Sequence, residues 1–364
     1  MSERSLQKQN IAWLDALRIA ACLAVIALHV SSQGWHAAVP GSSEWQVFNA
    51  YNACVRWGVP VFVMISGSLF LDPQKPLAIR SVFGKYLLRI AATFCFWSLV
   101  YTAYAKWRAP GLTTLQMVNK FLQGQYHMWF LFLIAGLYVA APLLRKFTES
   151  RETAKYFLAV AFLTVFVFST AADLADFFLP RMGESTLSTL VTALRADWAK
   201  AYFFLPMGYT FYYVAGYYLR RWRPGRVLTA VILLLSAASF YVTAHMGSVL
   251  TSISGEATSF NSNFSLNVMF EALGVFVLFQ KLGSKDGNGA SRSGKVLKKL
   301  SQCSFGVYLV HVLFLDLLAD VFGVHTADLP ALVSVPVFTL GIAFASLLVS
   351  LFLNAVPGLR GRIV

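Results

Sequence analysis

DALRIAACLAVIALHV, Asp15–Val30, is an apolar run that nevertheless carries an arginine, Arg18, and a histidine, His29. With its flanks it reaches the ~20 mostly apolar residues that a bilayer-crossing helix needs. Ionisable groups inside such a helix are costly and therefore rare. Eleven residues at ~100° each make nearly three turns, so both side chains share one face, roughly 16 Å apart along the axis. Asp15 lies one turn before Arg18 on that face, where the two can pair. The competing reading is local: Arg18 snorkels to the headgroups and His29 marks the opposite interface.

The rest of the chain sets this stretch in a membrane. Of 364 residues, 57% are hydrophobic and only 13% charged, and the mean hydropathy is +0.62. Soluble domains carry about 25% charged residues. The composition predicts an all-α, polytopic membrane protein with about ten transmembrane helices, forming one domain over 1–364. The expected spans are 11–31, 54–71, 83–105, 127–144, 155–173, 202–219, 227–246, 264–282, 302–323 and 330–354. In the second, Pro60 and Gly67 are expected to interrupt a short helix. The first segment lacks a small-residue cleavage pattern and reads as a retained helix behind a short cytoplasmic tail, 1–10. With that orientation, inner segments hold 22 Lys and Arg against 6 outside, as positive-inside topology requires, and both termini are predicted cytoplasmic. The net charge of +14 is spread between apolar segments, which argues against a nucleic-acid partner. Cys22, Cys54, Cys95 and Cys303 all fall in apolar spans without metal-ligand spacing, so they read as buried small hydrophobes, with no disulfide and no metal.

Other segments hold residues that a lipid-facing helix would avoid. YHMWFLFLIAGLYVAAP, Tyr126–Pro142, carries His127, Trp129 and Tyr138; taken alone these read as an interfacial histidine and aromatic-belt anchors. SFGVYLVH ends at His311 in the ninth span, with Tyr308 one turn away. Glu271 is the acidic residue deepest in its apolar run and must be protonated, paired or facing water. GKYLLRI sets Lys85 and Arg89 one turn apart at the start of the third span. Together with Arg220 and Arg221 at the inner end of the sixth, these cations can gather phosphates, although positive-inside topology produces such clusters anyway. Trp35, His36, Trp45 and Tyr51 lie in the expected first outer loop, as belt residues or as stacking faces for a sugar. Residues 185–200 place Leu187, Leu190, Val191, Leu194 and Trp198 at helical spacing, predicting an interfacial helix. GSKDGNGASRSGK, 283–295, reads as a flexible linker.

These motifs together resemble integral-membrane acyltransferase family 3, the multi-span O-acyltransferases of bacterial surface glycans. The resemblance covers nearly the whole chain. It rests on LDALRIAACLAVIALHV with its Arg-x10-His, VPVFVMISGSLF, KYLLRI, HMWFLFLIAGLYVAAP, YYVAGYYLRR and SFGVYLVHVLF. It looks closest to the branch that acetylates surface polysaccharide precursors such as the enterobacterial common antigen. One position departs from the family pattern: where members often carry Arg-x-x-Arg in the third span, Arg89 matches the second arginine but Tyr86 holds the first place, with Lys85 just before it.

The resemblance implies a multi-pass protein of the bacterial inner membrane that moves an acetyl group from acetyl-CoA to a sugar hydroxyl. The acceptor would be a polymeric surface glycan or its lipid-linked precursor. It also implies that His29 and Arg18 are essential. Acyl transfer needs a base for the hydroxyl proton, and neutral His29 suits that role. Arg18, held by Asp15, would grip the donor, and Lys85, Arg89, Arg220 and Arg221 would meet its phosphates. Trp129, His127, Tyr308, His311 and Glu271 are the expected substrate-side residues. The partners expected are thus acetyl-CoA, the glycan and membrane lipid, with self-association left open. A rival reading, a transporter or flippase for lipid-linked glycans, explains the spans and charges but not the motifs.

Overall fold

The computed structural model describes residues 3–73, 77–181, 186–200, 204–283, 292–359 and 363. Among them the regular structure is entirely helical. In chain order the helices are α1 (Glu3–Ala37), α2 (Ser43–Val55), α3 (Gly58–Phe70), α4 (Ile79–Arg108), α5 (Thr114–Gln123), α6 (Trp129–Thr148) and α7 (Arg151–Arg181). They continue with α8 (Thr186–Ala199), α9 (Phe204–Arg221), α10 (Arg226–Ser254), α11 (Leu266–Gly283), α12 (Arg292–Phe322) and α13 (Ala331–Ala355). Nine stretches among the described residues are long and apolar enough to cross a membrane. Helix α9 stands where the sixth span, 202–219, was expected, its start bordering residues outside the description. The chain is an all-α polytopic membrane protein.

Helix α1 is the hub of the bundle. It buries Leu14, Leu17, Ala21, Val25, Ile26 and Val30, and it touches all three clusters of core residues. Its neighbours are α2, α3, α11, α12 and α13. Lipid tails are as apolar as leucine, so close packing and internal polar contacts, rather than escape from water, hold such helices together. Large apolar side chains such as Leu99, Leu163, Leu234 and Phe344 accordingly stay exposed on the outside of the bundle, as a lipid-facing surface requires.

The second span differs from its expectation. It runs from Ser43 to Phe70 and breaks between α2 and α3 at Arg56 and Trp57, not at Pro60 or Gly67. Pro60 falls in the first turn of α3, where a missing N–H costs nothing. Gly67 instead allows a close crossing: a Cβ there would lie 1.9 Å from the Tyr213 carbonyl oxygen on α9. The contact is reciprocal, since a Cβ on Gly216 would lie 2.0 Å from the Met64 oxygen on α3. Small residues serve this purpose in membrane bundles.

Starting the span at Ser43 removes the aromatic outer loop. Trp45 is fully buried on α2, its ring 5.6 Å from that of Trp35, which also packs on His36. Tyr51 donates to the Leu332 carbonyl at 3.1 Å. Of the cysteines, Cys22 and Cys303 are buried as expected, but Cys54 and Cys95 are exposed, because their positions face away from the packed side of their helices. Helix α8 occupies the expected 185–200 segment, with Leu190 exposed; the side chains of Leu187, Leu194 and Trp198 lie outside the described residues. So does most of the expected linker, although Arg292–Lys295 already belongs to α12.

Candidate active site

Helices α1 and α12 run side by side in the same direction, and three contacts set their register. Arg18 meets Ser301, Cys22 meets the Ser304 carbonyl at 3.5 Å, and His29 meets His311. The face that carries Arg18 and His29 is therefore turned toward α12, inside the bundle. Neither the snorkelling arginine nor the interfacial histidine describes this arrangement.

At one end, Ser301 holds the Asp15–Arg18 pair together. Its hydroxyl donates to Asp15 Oδ1 at 2.6 Å and accepts from Arg18 Nη1 at 3.2 Å, while the two charged groups stand 4.0 Å apart. Tyr138 lies within electrostatic reach of both Arg18 and Arg89, so the first-span and third-span cations share one neighbourhood. Far from a belt position, Tyr138 stacks on Phe70 with ring centroids 4.1 Å apart, and Tyr86 packs edge-on against both. Lys85 lies 5.7 Å from the Tyr86 ring, and Arg89 lies 5.7 Å from the ring of Phe305. A π-helical turn, Val82–Leu87, carries Lys85; such turns recur at functional sites.

Arg220 is already engaged in the fold. Its Nη1 donates to the Ser68 carbonyl at 2.6 Å, and Arg145 donates through Nε and Nη2 to the Phe70 carbonyl at 2.8 and 2.6 Å. The two guanidinium groups satisfy carbonyls at the C-terminal end of α3, where the helix dipole favours cations. Arg221 is exposed on the same end of α9, within electrostatic reach of the Tyr217 phenol.

Three histidines from three helical segments converge at the other end. The His29 and His311 ring centroids are 5.1 Å apart, and those of His127 and His311 are 5.2 Å apart. His127 sits in a short 3-10 turn, Tyr126–Met128, and is 1% exposed. It is an interior residue, not the interfacial one that its position near a span end suggested. His311 Nδ1 donates to the Tyr308 carbonyl at 2.6 Å, which leaves Nε2 of the neutral ring as an acceptor. That Nε2 is buried with no hydrogen-bond partner among the described residues. Tyr308 in turn donates its hydroxyl to the His127 carbonyl. The Tyr126 hydroxyl stands 3.4 Å from His29 Nδ1, a long contact.

Tyr101, on α4, shapes the ground under His311. Its hydroxyl donates to the Leu309 carbonyl at 2.8 Å and accepts from the Leu313 N–H at 3.2 Å. The phenol thus stands inside the backbone ladder of α12, where Leu313 would otherwise bond Leu309, and a side chain inserted this way opens a helix locally. Trp129 is partly exposed beside the histidines, its ring 5.8 Å from that of Tyr209.

A second polar group flanks the cluster. Asn52 donates to Ser32 Oγ at 2.8 Å and to Ser31 Oγ at 3.4 Å, and its Oδ1 accepts from Arg56 Nε at 2.8 Å. The Asn261 amide completes it: with its oxygen turned toward the guanidinium, it accepts from Arg56 Nη2 at 2.8 Å and Nε at 3.0 Å. Arg56 lies close enough for its charge to act on both His29 and Glu271. Glu271 is fully buried, and its Oε1 accepts from the Thr243 hydroxyl at 2.5 Å. That position, closed off behind α10, makes it part of the support for the site.

Sequence reasoning missed Arg56, Asn52, Asn261, Tyr101, Tyr126 and Ser301. Arg56 carried a signal, being a cation beside the apolar run VPVFVMISG. The others are ordinary residues until the fold gives them partners.

An arginine–carboxylate pair and a histidine cluster, joined by one helix through the interior of a multi-span bundle, define a membrane protein with an intramembrane polar site. Residues 11–355 match the family model described as an acyltransferase domain. The chain belongs to that family, acyltransferase family 3, and is a membrane acyltransferase. No curated protein and no solved structure matches it.

Proposed function

We propose that the protein transfers an acetyl group from acetyl-CoA, bound toward Arg18, to a sugar hydroxyl presented at His29. The acceptor is a bacterial surface polysaccharide or its lipid-linked precursor, of the kind represented by the enterobacterial common antigen, and the setting is the inner membrane. One observation carries this reading: Arg18 and His29 both face α12 inside the bundle, each with its own polar partners. A long donor can then lie along α1 with its anionic end at the cations and its thioester near the imidazoles.

The N-terminus lies in the cytoplasm in this scheme, so the donor enters from the side where it is made. Arg18, Lys85 and Arg89 bind its phosphates and amides, and the Phe70–Tyr86–Tyr138 rings offer a stacking face. Arg221 adds charge at the mouth, and Arg220 does so through the N–H groups not spent on Ser68. Neutral His29 takes the proton of the sugar hydroxyl as its oxygen attacks the thioester carbonyl. The carbon–sulfur bond breaks, and His29 returns the proton to the departing thiolate, giving an acetyl ester and free coenzyme. His311 and His127 line the reaction chamber, and Trp129 stands on the acceptor side. Burial of His127 and His311, with His29 half-buried beside them, limits the water that can compete for the acetyl group.

The test uses the purified full chain in detergent with acetyl-labelled acetyl-CoA and undecaprenyl-linked sugars. Transfer of label to the sugar supports the proposal. A protein that binds or moves the lipid-linked sugar without taking up label is a transporter instead.

A further inference from the structure

Helix α5, ten residues from Thr114 to Gln123, is too short to cross a membrane. A capping box starts it: Thr113 Oγ1 accepts from the Gln116 N–H at 3.3 Å, and Gln116 Oε1 accepts from the Thr113 N–H at 2.9 Å. Lys106 fastens the turn before it, donating to the carbonyls of Pro110 at 2.7 Å and Leu112 at 2.8 Å. Gly124, with a φ of 67°, closes it. A Cβ on Gly124 would lie 2.8 Å from the Phe94 ring and 3.2 Å from Ser98 Oγ. The helix thus begins next to the C-terminal end of α4 and finishes beside Ser98, about ten residues earlier on that helix. At ~1.5 Å per residue this matches the length of α5. It therefore runs back alongside the last turns of α4.

The sides of α5 differ. Met117 and Phe121, one turn apart, are half-buried and mark the side packed on α4, its helix neighbour. Leu115, Val118 and Leu122 fall within ~60° of one another around the helix axis. They stay bare, Leu115 at 78% and Leu122 at 64% exposed. Gln116, Asn119, Lys120 and Gln123 fill the remaining arc and are exposed as well. A helix this short does not hold its shape alone, and α4 covers one flank only. Lipid fits the bare stripe. The stretch of α4 beside it exposes Leu99 and Trp107, so the lipid-facing surface continues onto α5. An apolar stripe next to a polar arc with a lysine is also the pattern of a helix lying at a lipid boundary. A protein partner fits less well, since a stable protein interface takes roughly 20–30 residues a side and the stripe is three side chains wide.

Where α5 ends, the histidine site begins. Gly124, Gln125 and Tyr126 are all that separate it from His127. Gln125 donates to Asp316 Oδ2 on α12 at 2.9 Å, Tyr126 brings its hydroxyl to His29, and the His127 ring meets that of His311. Phe94 and Ser98 close in Gly124, so a shift of α5 passes into this turn. We propose that the bare stripe of α5 is seated in bilayer lipid, and that this seat holds the Tyr126–Met128 turn, and His127 with it, beside His29.

The first measurement uses the full chain in vesicles of phosphatidylethanolamine and phosphatidylglycerol, with Cys54→Ala and Cys95→Ala so that introduced cysteines take the label. Nitroxides at Val118→Cys and Lys120→Cys, on opposite faces of α5, are exposed to oxygen, which concentrates in lipid, and to a nickel chelate, which stays in water. The ratio of oxygen to nickel accessibility is expected to be about fivefold or more higher at position 118 than at position 120. Equal or reversed ratios overturn the proposal. So does a label at 118 that neither reagent reaches, because protein then covers the stripe.

The second measurement takes Leu115→Ser/Val118→Ser/Leu122→Ser in the same vesicles. Diethyl pyrocarbonate modification of His127, read by peptide mass spectrometry, is expected to run about tenfold or more faster than in wild type. His245, exposed on α10, should react at its wild-type rate. Melting temperature and elution volume verify that the variant is folded; if it is not, Leu122→Ser alone is read the same way. A His127 rate within about twofold of wild type in the folded variant overturns the link between the seat and the site. Neither measurement uses an acyl donor or acceptor, so the outcome is separate from that of the acetyl-transfer reading.

Discussion

The His29 and His311 rings lie 5.1 Å apart, on two helices that are 282 residues apart in sequence and parallel in space. His311 is locked by the Tyr308 carbonyl into the tautomer whose Nε2 accepts. His29 faces only the long contact to Tyr126. His311 is thus held in place with its Nε2 open, and among the described residues His29 has no short hydrogen bond to a side chain. In the proposed scheme His29 is the base and His311 its positioned neighbour.

Removing the base should cost rate and spare binding. For His29→Ala we expect kcat for acetyl transfer to fall by about 10²–10⁴-fold, the usual contribution of a positioned base. The acetyl-CoA Kd should stay within about twofold of wild type. Single-turnover transfer of labelled acetyl beside equilibrium donor binding checks both; full activity in the variant would remove His29 from the mechanism.

Arg18 should show the opposite pattern. A charge-assisted hydrogen bond contributes about 1.5–3 kcal/mol, so Arg18→Ala should raise the acetyl-CoA Kd by roughly ten- to a hundredfold. Ser301→Ala leaves the charge but removes the hydroxyl that spans Asp15 and Arg18, and should weaken binding by a smaller factor of about three, well under one such bond. Titration calorimetry on the solubilised protein measures both. An unchanged Kd in Arg18→Ala would place the donor elsewhere.

Tyr101 touches no reacting group in this scheme, yet it should matter for activity. Tyr101→Phe removes the hydroxyl that stands between Leu309 and Leu313, allowing α12 to close its ladder and turn His311. We expect the melting temperature to change little and kcat to drop about tenfold, equal to ~1.4 kcal/mol. The pH profile of kcat should shift along with it, because the imidazole pair is re-spaced. A drop in stability with an unmoved profile would reduce Tyr101 to a packing residue.

The crossing of α3 and α9 should tolerate no added carbon. Gly67→Ala and Gly216→Ala each put a Cβ about 2 Å from a backbone carbonyl oxygen. Overpacking of this kind costs about 1–3 kcal/mol, and each variant should melt several degrees lower in detergent. Gly136→Ala on α6 is the control, since nothing lies within 4 Å of a Cβ there, and it should melt like wild type or slightly higher.

Much of the architecture was legible because lipid imposes simple rules. Runs of about twenty apolar residues must be helices when no water can satisfy the backbone, and the expected spans 127–144, 227–246, 264–282 and 330–354 each begin within two residues of a helical span of the structure. The second span was misjudged because Trp45 and Tyr51 look like interfacial residues in a list. Only their partners, Trp35 and the Leu332 carbonyl, show that α2 continues the helix outward. Gly67 was misjudged for a related reason, since a glycine that breaks a helix and one that admits a neighbour are the same letter.

By itself, the sequence determined that the chain is helical and membrane-spanning, and that Arg18 and His29 share one face of the first span. The physical basis is local: the price of charge in lipid and the period of a helix. Tertiary structure decided where that face points and who meets it. Ser301 under Arg18, His311 and His127 beside His29, Tyr101 in the ladder of α12, and Asn261 beside Arg56 are contacts between distant segments. No spacing along the chain encodes them, because they exist only once α1 is packed at the centre of the bundle with α12 parallel to it.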